Sequence, residues 1–263
     1  MRKYLSILRL GWLDAIAYRT EFFVSILSWG IRLFIAIFLW LAVTESRGGT
    51  IGAYNFQSML VYLFLVQIIS SFIFSRVGFD IAHDIYRGNF ANFLLKPVNY
   101  LFFRLVHEMS KNLFRTIIGI AIFGSLLFFV SGGIQVTFGK LFFGVIAMIG
   151  AYLINFGAVA ILALSAFWVT SSTRFMFIYF GILTIFSGMI FPVDLFPEKI
   201  LRIFLWLPFP YVFYFPAKIF QSPELTGSLL KGFFHQWGSV IILLAFVWFI
   251  YRRGVKKFEA IGR

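Results

Sequence analysis

Cysteine is absent from this chain of 263 residues, and charged residues make up only 13% of it. Without cysteine, the chain forms no disulfide bond, no thiolate metal site and no thiol nucleophile. A soluble domain carries about a quarter charged residues, whereas 61% of this chain is hydrophobic. This composition is typical of an integral membrane protein, and the length leaves no room for a sizeable soluble domain beside several spans. We therefore expect residues 1–263 to form a single transmembrane domain.

Motifs for catalysis are missing as well. The sequence contains no G-x-x-x-x-G-K-[ST] phosphate-binding loop, no H-E-x-x-H and no G-x-S-x-G. The three histidines, His83, His107 and His235, are far apart in the sequence, and this spacing favours solvated polar positions over a metal site. We expect no catalytic residue, no metal ligand and no nucleotide bound by this chain in the manner of such a loop.

The basic residues predict the orientation of the chain. The formal net charge is +13, and in a chain this apolar Lys and Arg collect beside the cytoplasmic leaflet rather than on nucleic acid. They are concentrated in residues 1–21, 76–111 and 252–263, which predicts cytoplasmic termini and an even number of spans. Residues 192–231 are also basic, but long connections cross the membrane largely regardless of charge. A multi-pass protein of the cell (inner or plasma) membrane is expected.

Apolar stretches long enough to cross a bilayer predict an all-α fold with six transmembrane helices. We place the spans at about 22–43, 57–75, 113–130, 141–170, 175–191 and 233–251. Residues 1–21 place Leu8, Trp12 and Ile16 on one helical face, which predicts an amphipathic helix in the membrane interface.

The connection after the fifth span, residues 192–220, is rich in proline and still apolar. Prolines at this density prevent one continuous helix, while a stretch this apolar does not suit an ordinary water-exposed loop. We therefore predict short re-entrant helices at the external side, with Asp194 and Glu198 as charges at helix N-termini. The prolines of this segment are Pro192, Pro197, Pro208, Pro210 and Pro216.

The connection after the second span, Val77 to Tyr100, predicts a cytoplasmic amphipathic element at residues 79–95. On a helical wheel, Asp80, His83, Asp84 and Arg87 share one side, opposite Ile81, Ala82, Ile85 and Tyr86. Gly88 is expected to end the first helix, and Lys96-Pro97 a second short one capped by Asn89. Anionic lipid would favour basic residues over two aspartates. A basic or polar groove of a protein partner suits this face better, with a solvated loop helix as the alternative.

Two polar residues within predicted spans are candidates for a translocation path. Arg32 lies about 15 Å from the start of the first span if the span begins at Phe22. An intramembrane charge marks a functional site, unless the span begins later and the side chain extends to the inner leaflet. Asn155 in the fourth span is a candidate too, although a hydrogen bond between helices is its more common role.

Two segments carry a resemblance to a family. The stretch Asp84-Ile85-Tyr86-Arg87-Gly88-Asn89 through Leu94-Leu95-Lys96-Pro97 follows the second span, and Ser187-Gly188-Met189-Ile190-Phe191-Pro192 through Phe196-Pro197, Leu207-Pro208-Phe209 and Pro216 follows the fifth. With the basic amphipathic N-terminus and six spans, this pattern resembles the membrane subunits of ABC-2 type ABC exporters. It is most similar to the subgroup of these permeases that have about 260 residues, which fits the length of this chain, 263 residues.

The resemblance implies partners and roles. The permease would pair with a second permease, alike or different, and with two separate ABC ATPase subunits that carry the ATP and Mg. The element after the second span would be the coupling helix that inserts into the ATPase, and residues 192–220 would form the external re-entrant gate. It implies ATPase-coupling roles for Asp80, Asp84, Ile85, Arg87, Gly88, Phe90, Leu94, Lys96 and Pro97.

Two other classes of membrane protein remain as alternatives. An ion-gradient-driven secondary transporter would need acidic relays within the spans, and the predicted spans offer none. A non-catalytic membrane scaffold would leave the re-entrant segment unexplained. Substrates of the resembling family range from drugs and peptides to lipid-linked polysaccharides, so the sequence does not identify the substrate.

Overall fold

The structure is a computed structural model that describes residues 2–17, 19–131, 137–169, 172–222 and 227–258. These ranges are helical apart from short connections and one small hairpin, so the predicted all-α class is confirmed. The α-helices are α1 (Arg2–Ala17), α2 (Arg19–Ser46), α3 (Phe56–Ile73), α4 (Val77–Tyr86), α5 (Phe90–Leu94), α6 (Tyr100–Gly119), α7 (Ser125–Ser131), α8 (Phe138–Leu164), α9 (Ser172–Phe186), α10 (Glu198–Phe204), α11 (Tyr214–Gln221) and α12 (Gly227–Lys257).

Shorter elements join these helices. Strands β1 (Thr50–Ile51) and β2 (Tyr54–Asn55) form an antiparallel hairpin between α2 and α3. A π-helical turn, Ile120–Gly124, joins α6 to α7 without a break, and 3₁₀ turns lie at Ser165–Phe167, Val193–Leu195 and Phe209–Tyr211.

Five helical stretches within the described ranges are long and apolar enough to cross a bilayer, so the chain is a multi-pass membrane protein. They are Ile26–Ser46, Phe56–Tyr86, Tyr100–Val130, Phe138–Phe167 and Gly227–Lys257. The fifth predicted span, at about 175–191, is not confirmed, because α9 has only 15 residues and extends about 22 Å against a hydrocarbon core of about 30 Å. The helix stops at Phe186 because a turn follows, in which Gly188 has φ +87° and the carbonyl of Ser187 accepts the N–H of Tyr214 at 2.9 Å.

The helices give the bundle two ends. Helix α3 begins at the hairpin and leads into α4 at its other end, so we name these the hairpin end and the α4 end. Phe258, after α12, contacts Phe90 of α5 with ring centroids 5.1 Å apart, which places the end of α12 at the α4 end. Helix α1 lies there too, because Asp14 of α1 lines one cavity with Asp80 and His83 of α4. The described part of α1 and the end of α12 therefore lie at the same end of the bundle.

Polar side chains join the spanning helices where α3 ends. Asn112 of α6 donates to the carbonyl of Phe72 at 2.8 Å, and Asn155 of α8 donates to that of Ile73 at 3.1 Å. The last carbonyls of a helix lack partners within it, and an unpaired group costs several kcal/mol in an apolar medium, about 4–8 on a water-to-cyclohexane scale. These two amides therefore allow α3 to end inside the bundle, directly before α4.

Candidate functional site

The segment from α4 to Pro97 is built by local sequence signals. Helix α4 ends at Tyr86, and Gly88 follows with φ +77°, a conformation that glycine adopts without steric cost. Helix α5 ends at Leu94 immediately before Leu95-Lys96-Pro97, as proline requires. Asn89 occupies the N-cap position of α5 but makes no side-chain capping bond. Glycine and proline thus divide the segment into two short helices.

One face of α4 packs tightly against the spanning helices. Ile81 is fully buried, and a Cβ added to Gly78 would overlap Cγ1 of Val159 in α8. Phe79 packs on Phe177 of α9, with ring centroids 5.5 Å apart. Because glycine permits this close approach, α4 is held directly on α8 and α9 rather than suspended in solvent.

Phe90 anchors α5 to several helices at once. Its side chain is fully buried, and its ring lies 4.9 Å from that of Tyr100 in α6. It also lies 5.4 Å from Phe167, which follows α8, and 6.2 Å from Tyr251 of α12. Edge-on aromatic contacts of this kind add about 0.5–1.5 kcal/mol each beyond their buried area. The segment is therefore fixed to the ends of three spans.

Asp84 forms a buried polar link to α6. Its Oδ2 accepts a hydrogen bond from the Tyr100 hydroxyl at 2.6 Å and forms an ion pair with Arg104. Asp80 lies farther from Arg104, at 3.9 Å, and its side chain is 45% exposed. Arg104 thus bridges the two aspartates, and the paired Asp84 locks α4 against α6.

This geometry corrects the helical-wheel interpretation of α4. Asp84 is buried together with Ile81 and Ile85, whereas Tyr86, assigned to the apolar side, is 70% exposed. The wheel assumes one covered face, but α4 contacts α8 and α9 on one side and α6 on another. Asp84 faces α6 rather than outward, and its ATPase-coupling role stays a prediction.

A charged cavity of about 330 Å³ lies where α1, α4 and α6 meet. Asp14 of α1 contacts His107 of α6 at 3.0 Å, and Lys111 pairs with Glu108 at 3.3 Å. Glu108 is buried, and its second carboxylate oxygen has no hydrogen-bond partner among the described residues. The cavity therefore joins α1, α4 and α6 through charged groups rather than through apolar packing.

The outer side of the α4–α5 segment is apolar and basic. Leu95 is 86% exposed and Leu94 47%. Arg87, Lys96 and Pro97 are also exposed. We call the set Tyr86, Arg87, Leu94, Leu95 and Lys96 the docking surface. Exposed apolar side chains beside basic ones are typical of a protein–protein contact rather than of a solvated loop.

At the hairpin end, a polar cluster fixes the proline-rich segment. The hydroxyl of Tyr54 in β2 donates to Asp194 at 2.9 Å, and the ammonium group of Lys218 in α11 pairs with Asp194 at 2.8 Å. Burial, followed by the charge of Asp194, raises the pKa of Tyr54 well above its usual value, so the hydroxyl remains a donor. This three-residue link was not apparent from the sequence because its members are far apart along the chain.

The prolines set the ends of the short helices in this segment. Pro192 precedes the first 3₁₀ turn, Pro197 precedes α10, and Pro208 and Pro210 lie at the next 3₁₀ turn. Pro216 lies in the first turn of α11, where no intrahelical N–H bond is lost. Glu198 begins α10 and pairs with Arg202 at 2.6 Å on the exposed surface. The segment is folded into the bundle rather than extended from it.

The two candidates for a translocation path occupy different settings. Asn155 is buried between helices, where it donates to Ile73 and accepts from the Tyr179 hydroxyl at 3.0 Å. Arg32 is exposed on α2, and its Nε donates back to the carbonyl of Ser28 at 3.3 Å. Helix α2 is continuous from Arg19 to Ser46, so both interpretations of Arg32 stay predictions.

Comparison with known proteins identifies the family. No curated protein matches the chain. The sequence model of the family described as "ABC-2 family transporter protein" matches residues 31–262, which includes the α4–α5 segment and the proline-rich segment. The chain therefore belongs to the ABC-2 family and is a membrane subunit, the permease component, of an ABC transporter.

Proposed function

We propose that the chain is the permease subunit of an ATP-driven exporter that works as a dimer with a second permease. Two separate ATP-binding subunits supply the energy, and the docking surface receives them at the cytoplasmic side of the membrane. The observation that carries this proposal is the α4–α5 segment, whose exposed apolar tip lies on a base packed against α6, α8 and α12.

The character of the docking surface indicates what it contacts. Leu95 and Tyr86 offer exposed apolar area, and Arg87 and Lys96 flank them. An apolar groove with acidic residues at its rim complements this surface. The sequence-based expectation of a basic or polar groove depended on outward aspartates, and Asp84 faces α6 instead. The partner's groove is therefore proposed to be apolar and acidic.

The base of the segment provides a route for motion. A displacement of α5 acts on α6, α8 and α12 through Phe90, and a displacement of α4 acts on α6 through Asp84 and Arg104. Packed interiors transmit such shifts because they deform little. Closure of the ATP-binding subunits would thereby move the spanning helices, and the re-entrant helices at the hairpin end would gate the external side.

The exposed face of α2 supports a second permease. Leu27, Ile31, Phe34 and Phe38 recur at helical spacing and are all at least half exposed. Arg32 lies on the same exposed helix. A charge that faces lipid costs up to about 2.5–3.5 kcal/mol at mid-bilayer, and a second permease packed against this face would reduce that cost.

The proposal is tested by reconstitution. The chain, its second permease and the ATP-binding subunit are placed in vesicles, and ATP hydrolysis is followed together with efflux of amphiphilic drugs, peptides and lipids. We expect the permease to co-purify with the ATP-binding subunit and to increase its hydrolysis severalfold. Transport driven by an ion gradient without ATP would instead support the secondary-transporter alternative, and the absence of any co-purifying ATPase would contradict the proposal.

A further inference from the structure

A second cavity, of about 690 Å³, lies at the hairpin end between α10, α11 and the first turns of α12. Its volume falls within the range of about 300–1,000 Å³ that is usual for ligand pockets. Tyr211, Phe215 and Leu229 are buried in its lining, and Trp206 in the same lining is 79% exposed. We call it the α10–α12 cavity, and its apolar part is mainly aromatic.

The charge of the α10–α12 cavity has one sign. Arg202, Lys218 and Lys231 line it, and none of its described lining residues is acidic. Arg202 is paired with Glu198 and Lys218 with Asp194, both outside the lining. Lys231 is exposed and forms no ion pair with a described residue. Lys231 is therefore the cation of this lining that is available to pair with a bound anion.

The position of the cavity indicates that its ligand also has an apolar part. It lies beside the first turns of α12, a helix long and apolar enough to span the membrane. From Lys231 and His235, the same helical stripe continues through Ile242, Phe246 and Phe249. These three side chains are 43–70% exposed. Cations and exposed aromatic rings followed by an apolar stripe match the order of headgroup and acyl chain in a bilayer.

We propose that the α10–α12 cavity binds the phosphate-bearing headgroup of an anionic membrane lipid, with its acyl chains along the exposed stripe of α12. Lys231 pairs with the phosphate, Trp206 covers the headgroup, and Tyr211 and Phe215 exclude water from one side. The site is separate from the docking surface at the other end of the bundle, and it does not depend on the ATP-binding partner.

The test uses quenching of tryptophan fluorescence by brominated lipids in the detergent-purified full chain. Brominated phosphatidylglycerol is compared with brominated phosphatidylcholine. Because the chain has seven tryptophans, the variant Trp206→Phe is measured in parallel, and the difference isolates the signal of Trp206 from that of the other six. We expect phosphatidylglycerol to half-quench Trp206 at a severalfold lower mole fraction. Lys231→Gln should weaken that preference about fivefold, since one cation near an anionic surface contributes about that factor. Quenching by phosphatidylcholine should change less, because the choline cation offsets the charge of its phosphate.

Matched variants distinguish the effect of a cation in the cavity from the effect of any exposed cation at this end of the bundle. Arg47→Gln removes one exposed cation from the hairpin end outside the cavity, and we expect it to leave the preference unchanged. Arg202→Gln is a second exposed variant within the lining and should reproduce the Lys231 effect in the same direction. Equal quenching by the two lipids, or equal effects of Lys231→Gln and Arg47→Gln, would overturn the proposal. Displacement of the lipid by millimolar glycerol 3-phosphate would overturn the lipid assignment in favour of a soluble phosphate.

Discussion

Replacing Asp84 with alanine is expected to lower the free energy of unfolding by about 3 kcal/mol, the lower end of the cost of leaving a buried charge without its partner. The side chains of Asp84 and Arg104 are only 10% and 15% exposed, so water reaches the orphaned guanidinium poorly. Tyr100 loses its acceptor in the same substitution. Asp80, at 3.9 Å from Arg104, offsets part of the loss. The measurement is the equilibrium or thermal unfolding of the purified protein.

Two controls make this prediction specific. Asp80→Ala removes the partly exposed aspartate. The ion pair of Asp80 with Arg104 is expected to contribute less than about 1 kcal/mol to the free energy of unfolding. The double variant Asp84→Ala/Arg104→Met removes both charges and should recover much of the lost stability, because no buried charge is then unpaired. If Asp84→Ala destabilises no more than Asp80→Ala, the ion pair does not lock α4 to α6.

Replacing Leu95 with aspartate is expected to abolish ATP-driven transport while leaving the stability of the permease unchanged. Leu95 is 86% exposed, so the permease itself loses no packing. A charge buried in an apolar contact is costly, and an anchor residue of an interface contributes at least about 2 kcal/mol, roughly thirtyfold in affinity. Titration of the ATP-binding subunit against the purified permease, together with the rate of ATP hydrolysis, measures the effect.

The matched control for Leu95→Asp is at the opposite end of the bundle. Ile203 of α10 is 64% exposed, and Ile203→Asp should leave binding of the ATP-binding subunit unchanged. A Leu95→Asp permease that binds and stimulates the subunit normally would show that the docking surface lies elsewhere. A loss of stability in that variant would show that Leu95 is packed within the permease.

Features determined by a few neighbouring residues could be predicted from the sequence. Three features follow from backbone geometry at single positions: the end of α4 just before Gly88, the end of α5 before Lys96-Pro97, and the interruption of residues 192–220 by proline. The membrane class follows from composition. These signals are local, so they do not depend on which helices become neighbours.

Contacts between distant segments could not be predicted in the same way. Asp84 was assigned to an outward face because the wheel of α4 contains no information about α6, where Arg104 and Tyr100 lie. Tyr54, Asp194 and Lys218 meet only because the hairpin packs on the proline-rich segment. The turn that follows α9 is held by the bond from the N–H of Tyr214 to the carbonyl of Ser187, which is likewise non-local. The available sequence signal for these contacts was the presence of charged residues in an apolar chain, since each buried charge needs a partner.

The central claim is that the α4–α5 segment receives the ATP-binding subunit, and site-specific crosslinking tests it most directly. Because the chain contains no cysteine, Leu95→Cys provides a unique thiol for a maleimide photocrosslinker, and Arg47→Cys provides the control at the hairpin end. Each variant is labelled as the purified permease, then reassembled with the other subunits in membranes and irradiated. We expect an adduct between Cys at position 95 and the ATP-binding subunit, and none from position 47. No adduct from position 95, or equal adducts from both positions, would contradict the account.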